Sequence, residues 1–104
     1  MIPALCIDSS NRPKEIPMGK WIQSGFKYHI THVFFHEKQG IQGCTLHEVR
    51  LGKESTPYTS YRLSRFALTQ ENYDKLRQMI IDCSELNDFD VNKLLEECEL
   101  EVMK

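Results

Sequence analysis

The feature that most constrains this chain is a division of charge and pattern near residue 68. Residues 1–68 hold nine Lys/Arg and five Asp/Glu, a balance of +4, and residues 69–104 hold four and ten, a balance of −6. All four His (His29, His32, His36, His47) and eight of the ten aromatics fall in the first part. That part alternates β-branched and aromatic residues with the period of a strand, whereas the second repeats apolar residues at helical spacing. A chain of 104 residues has room for one thin core. Both patterns must therefore share it, as a single α+β domain with a β-rich body over 1–68 and a helical tail over 69–104.

The strand signals are unequal. Residues 2–7 form a short one, with Pro3 near its start, where a missing N–H does least harm. Residues 8–17, with two Ser, an Asn and two Pro, make a loop, and Trp21-Ile22 a short extended piece. The strongest signal runs from Phe26 to His36, placing Tyr28, Ile30, His32 and Phe34 on one face. A compact turn over 37–40 leads into a second strand, 41–51, whose Gly43 suggests a bulge or a bend. A loop over 52–57 precedes short extended segments ending in Arg65–Leu68. Thr69 then has the right side chain to cap a helix, with Glu71 in its first turn. Helices are expected over 70–84 (Tyr73, Leu76, Met79, Ile80, Cys83 inward) and 90–102 (Val91, Leu94, Leu95, Cys98, Val102 inward), separated at Asn87-Asp88 and with Asp90 or Asp88 capping the second.

Five short strands in some sixty residues favour a small barrel or a curved antiparallel sheet. The spacing Gly25-x-x-Tyr28-x-Ile30-x-x-Val33, followed by a turn and Gly43, resembles the early strands of SH3-like barrels. A longer set of residues, Arg12–Pro17, Lys20-Trp21, Gly25-x-x-Tyr28, Gly40-Ile41-x-Gly43 and Arg65-Phe66, resembles small uncharacterised proteins of Bacteroides-type gut bacteria and their phages. That resemblance implies phage or mobile-element origin and carries no activity with it. It favours binding over catalysis.

A net charge of −2 and a pI near 6.1 make nucleic acid an unlikely partner for the molecule as a whole. No basic, apolar leader opens the sequence, and no apolar run approaches a membrane span. Cys6, Cys44, Cys83 and Cys98 are scattered without a Cys-x-x-Cys pair, as expected of reduced thiols in a cytoplasmic protein. His29, His32 and His36 with Cys44 and His47 are the metal candidates, but a strand points His29 away from His32 and His36, short of the four converging ligands zinc takes. Cys44 and His47 lack the surroundings of a nucleophile and its base. No catalytic residue, metal site or cofactor is assigned.

Binding chemistry concentrates in Tyr58–Phe66, where Tyr and Arg interleave with hydroxyls. Arg62 and Arg65 offer planar forks of donors for negative charge, and Tyr58, Tyr61 or Trp21 offer rings for stacking. The expected function is non-catalytic recognition of an anionic ligand, a nucleotide-like small molecule or an acidic surface. The alternative is a protein–protein adaptor or host-factor inhibitor acting through the acidic helices, whose apolar stripe also makes a second copy a candidate partner, as a homo-oligomer.

Overall fold

The computed structural model describes residues 1–35, 42–56, 58–83, 88–97 and 100–103. The 37–40 turn, His36, Pro57, the Asn87 break, Cys98, and the side chains of Cys83, Asp88, Asp90 and Leu94 lie outside what is described. Six strands form one curled sheet: β1 (Ile2–Cys6), β2 (Lys27–Phe35), β3 (Gln42–Leu46), β4 (Tyr61–Arg62), β5 (Phe66–Thr69) and β6 (Glu101–Met103). Two helices, α1 (Gln70–Cys83) and α2 (Asp88–Glu97), lie between β5 and β6. The spatial order is β4-β3-β2-β1-β5-β6. The fold is thus α+β with a curved sheet, but the sheet is mixed rather than antiparallel throughout.

The departure is at the C-terminal end. The expected helix to residue 102 stops at Glu97, and Glu101–Met103 run parallel to β5, pairing Ala67 with Glu101, Leu68 with Val102 and Thr69 with Met103. Parallel neighbours need a crossover of a dozen or more residues, which the two helices provide. Leu100, 9% exposed, turns inward just before the strand begins. Val102, which fits the helical stripe by spacing, is instead 37% exposed on β6. Pairing with β5 overrides the intrinsic helical preference of Leu, Glu and Met in this segment.

Strand β1 shows the alternation its sequence promised. Ile2, Ala4 and Cys6 are buried while Pro3 faces solvent. It is antiparallel to β2 on one side (Ile2 opposite Ile30, Ala4 opposite Tyr28) and to β5 on the other (Cys6 opposite Phe66). The helices cover the same face: Leu76, Ile80, Val91 and Leu95 join Ile2, Ala4, Cys6 and Phe66 in one core. The larger of these side chains, Ile2, Phe66, Leu76, Ile80, Val91 and Leu95, each contribute roughly 1.5–3 kcal/mol through burial. Thr69 caps α1, its Oγ1 accepting the N–H of Asn72 at 3.1 Å. Among the described residues the ion pairs are Arg65–Asp8, His29–Glu48 and Lys75–Glu71. None of these three joins the basic body to the acidic helices, and the two halves meet through the shared apolar core and the β5–β6 ladder.

Strand β2 does not keep one face inward. Opposite β3 its register shifts between Ile30, paired with Leu46, and His32, paired with Thr45. Before this bulge Tyr28 and Ile30 are buried; after it Val33 packs on the core and Phe34 is 43% exposed. One unpaired residue reverses the alternation, which no period-2 reading can anticipate. The bulge lies on β2 and not at Gly43. Gly43 instead permits a close approach, since a Cβ there would strike Ser60 Oγ and lie 2.9 Å from Ser60 Cβ. Strand β3 ends at Leu46, short of the expected Leu51. The chain beyond is held by His47 N–H donating to His29 O at 2.9 Å and His29 N–H donating to Glu48 Oε1 at 2.8 Å. The His29 ring also meets Glu48 through Nδ1.

Burial opposes the charge on Glu48, but the hydrogen bonds from the His29 ring and backbone outweigh it and hold the carboxyl below its ordinary 4.5. Its contribution is therefore complete above pH 4.5 and is lost as the pH falls through the lowered value. Glu48→Gln should flatten the decline of the urea midpoint below pH 4.5. Gly43→Ala should lower stability by about 1–3 kcal/mol through overpacking, and adding Ser60→Gly should restore part of it in the same urea series. Thr69→Ala should cost about 1 kcal/mol through loss of the cap.

Candidate functional site

The loop over 8–17 folds back along the segment 58–65, and a groove of about 350 Å³ lies between them. It is lined by Asn11, Pro13, Ile16, Trp21, Tyr58, Ser60, Tyr61, Arg62 and Arg65. All five residues singled out in the sequence (Trp21, Tyr58, Tyr61, Arg62, Arg65) therefore border one concavity. Strand β4 carries Tyr61 and Arg62, a single turn over Leu63–Arg65 holds Arg65 before β5 begins at Phe66, Trp21 closes the turn Met18–Lys20, and Tyr58 lies in the loop before β4. Leu63, fully buried, anchors that turn to the core.

The five differ in what remains free. Arg65 is a clasp. Its Nη1 donates to Ser10 O at 2.8 Å and to Asp8 O at 3.3 Å, and lies 3.5 Å from Asp8 Oδ1. Its guanidinium sits 4.9 Å from the Trp21 ring centre, a cation–π contact. The Arg65 carbonyl in turn accepts the N–H groups of Ile7 and Asp8. Asp8 is locked from the other side: bonds from the hydroxyl and backbone N–H of Ser10, with a further effect of Arg65, keep its carboxyl below the usual range. With its side chain 14% exposed, Arg65 organises the loop more than it awaits a ligand.

Tyr61 is a wall. Its ring is 3% exposed and its hydroxyl donates to Lys20 O at 2.6 Å. Burial, reinforced by Tyr28 and Cys44, pushes that hydroxyl well above the ordinary phenol range, so it stays protonated. Trp21 tilts against Tyr61 at 50° with centres 6.0 Å apart, and its Nε1 donates to Ser9 O at 2.8 Å. One indole face is thus taken by Arg65, and the ring is fixed in place. Tyr58, 40% exposed, and Arg62, also exposed, complete the rim. Among the described residues the Arg62 guanidinium has no hydrogen bond or ion pair. Among the described residues no carboxylate lines the groove.

The sequence reading missed the loop. Asn11, which holds a left-handed backbone at φ 57°, and Pro13 and Ile16 form the opposite wall. Arg12 Nη1 donates to Ile16 O and braces that wall. The Pro and Asn content of 8–17 marked a turn-rich segment but gave no sign of where it would pack.

The remaining candidates are dispersed. His29 faces Glu48, His32 Nδ1 lies 3.5 Å from Thr45 Oγ1, His47 is exposed, and Cys44 is buried at the base of the β3–β4 pair. Among the described residues no group of three or more His, Cys, Asp or Glu is placed to hold a metal. No described helix is long and apolar enough to cross a membrane. No protein-family model, curated protein or solved structure matches the chain.

Arg65→Ala should lower stability by about 2 kcal/mol, because hydrogen bonds from a charged donor are among the stronger ones. Arg65→Lys should recover only part, lacking the planar fork. Trp21, the one tryptophan of the chain, gives a fluorescence readout of the same unfolding series and should shift in the folded state of Arg65→Ala.

Proposed function

We propose that this chain is a non-catalytic binding domain that takes an anionic ligand bearing a flat ring, a nucleotide-like molecule, in the groove between residues 8–17 and 58–65. The observation that carries this reading is the uncommitted Arg62 guanidinium beside exposed Tyr58, on a rigid base of Trp21, Tyr61 and Arg65, with no carboxylate in the lining. Arg62 pairs with the negative group and Tyr58 stacks on the ring. Arg65 and Tyr61 act by holding the base in place. A volume of about 350 Å³ suits one small molecule better than a broad protein surface. Binding through loops beside a curved sheet is the manner of SH3-like barrels, and that likeness, with the phage or mobile-element origin suggested by residues 8–66, belongs to the same proposal.

The adaptor reading has less to draw on. Leu76, Ile80, Val91 and Leu95 are in the core, which leaves a partner the solvent-facing acidic side of the helices.

Titration of adenosine monophosphate into isotope-labelled protein should move the amide signals of Tyr58–Arg62 saturably. Arg62→Ala should raise the dissociation constant about tenfold, the worth of one charge-assisted contact. Tyr58→Ala should weaken binding several-fold. Saturable binding unaffected by either substitution would place the ligand elsewhere.

A further inference from the structure

A second concavity, of about 280 Å³, opens at the β2 bulge and also has Tyr61 in its lining. In a regular strand Thr31 and His32 would point to opposite faces. Here the unpaired residue lets both line the cleft, opposite Thr45 of β3. Bulges often re-aim side chains in this way beside functional sites. Three hydroxyls result. Thr31 Oγ1 donates to Thr45 O at 3.2 Å and lies 2.7 Å from Thr45 Oγ1. At 2.7 Å one of these two hydroxyls donates to the other, and when Thr31 is that donor the Thr45 proton is left for His32 Nδ1, 3.5 Å away, or for the cleft. Thr59 faces the same space from the chain before β4.

Arg50 supplies the charge. It is exposed, lines the cleft, and has no hydrogen bond or ion pair among the described residues. The nearest acid in sequence, Glu48, is engaged by the His29 ring and backbone and is not part of the lining. Among the described residues no carboxylate therefore competes for Arg50 there. The floor is apolar, with Leu46 2% exposed and Val49 and Leu51 half-buried. A single planar fork, neutral hydroxyls and a short apolar floor match one carboxylate attached to a small aliphatic body. A phosphate monoester, nearly doubly charged, calls for more than one permanent cation, and among the described residues Arg50 is the one Lys or Arg in the lining. The size is at the lower end for ligand pockets, which excludes a drug-sized occupant.

We propose that the cleft at the β2 bulge is a second binding site, specific for a compact aliphatic monocarboxylate. Tyr61 borders both concavities, but Thr31, His32, Thr45, Arg50 and Thr59 line this cleft and not the ring-binding groove.

The test is a titration of L-lactate at constant ionic strength into the full-length, isotope-labelled chain, with inorganic phosphate and glycerol as comparison probes. Lactate should move the amide signals of Thr31, His32, Thr45 and Arg50 saturably, and glycerol should not. Arg50→Ala, at an exposed position that leaves the core intact, should raise the half-saturating concentration about tenfold, the worth of one charge-assisted contact. Thr45→Val should weaken binding further, and Arg50→Lys should restore part of it if both variants give folded spectra. Arg62→Ala should leave the lactate response unchanged, which separates this site from the groove. The proposal is overturned if lactate gives no saturable response at these amides, if Arg50→Ala binds like the parent, or if glycerol saturates equally. Tighter binding of phosphate than of lactate at the same amides would overturn the assignment to a monocarboxylate.

Discussion

Strand β1 is hydrogen-bonded along both edges, to β2 on one side and β5 on the other, and the sheet depends on that double pairing. On one side lies the hairpin of β2 and β3 with its short neighbour β4; on the other lies the β5–helix–β6 unit. Only five residues join them. Their inward members, Ile2, Ala4 and Cys6, are small to medium in size, which lets α1 approach the middle of the sheet. The Cys6 thiol is part of this seam: burial raises its pKa, against the opposing influence of the Asp8 carbonyl and Arg65, and keeps it neutral. The last residues of β1 also lead into the loop that Arg65 holds. The strand that unites the core thus fixes where the groove begins.

Two kinds of order meet at the groove. The core supplies Leu63, Tyr61 and Phe66, whose burial sets the course of the chain from β4 into β5. Polar bonds then attach an otherwise irregular loop to that course: Arg65 to the carbonyls of Asp8 and Ser10, Trp21 to Ser9, Tyr61 to Lys20. In each case a side chain donates to a backbone carbonyl outside the strands and the two α-helices. A rigid base of this kind leaves little conformational entropy for a ligand to remove when it binds.

Much of the fold was legible where local pattern and tertiary demand agreed. The alternation in 2–7, the aromatic and β-branched run from residue 26, the cap at Thr69 and the spacing of Tyr73, Leu76 and Ile80 all correspond to elements of the structure. The bulge at Thr31 was not legible, because a single extra residue leaves composition unchanged and only the partner strand defines it. Nor was β6, where three residues follow a helical rhythm but are claimed by the open edge of β5. The Tyr-Arg stretch was identifiable by type, and its residues do meet around one groove. Their division of labour was not. That Arg65 clasps a loop while Arg62 stays free follows from a contact fifty-five positions away in sequence.

Tyr61 has a place in both concavities, as a shared wall with no free face of its own. Its hydroxyl is fixed to Lys20 and its ring is wedged beside Trp21, so it cannot swing aside as a gate would. Both concavities are therefore built on one fixed residue. A lineage that replaced it with a smaller one would lose the Lys20 bond and the Trp21 contact together, so a change at this single position would be felt at both surfaces.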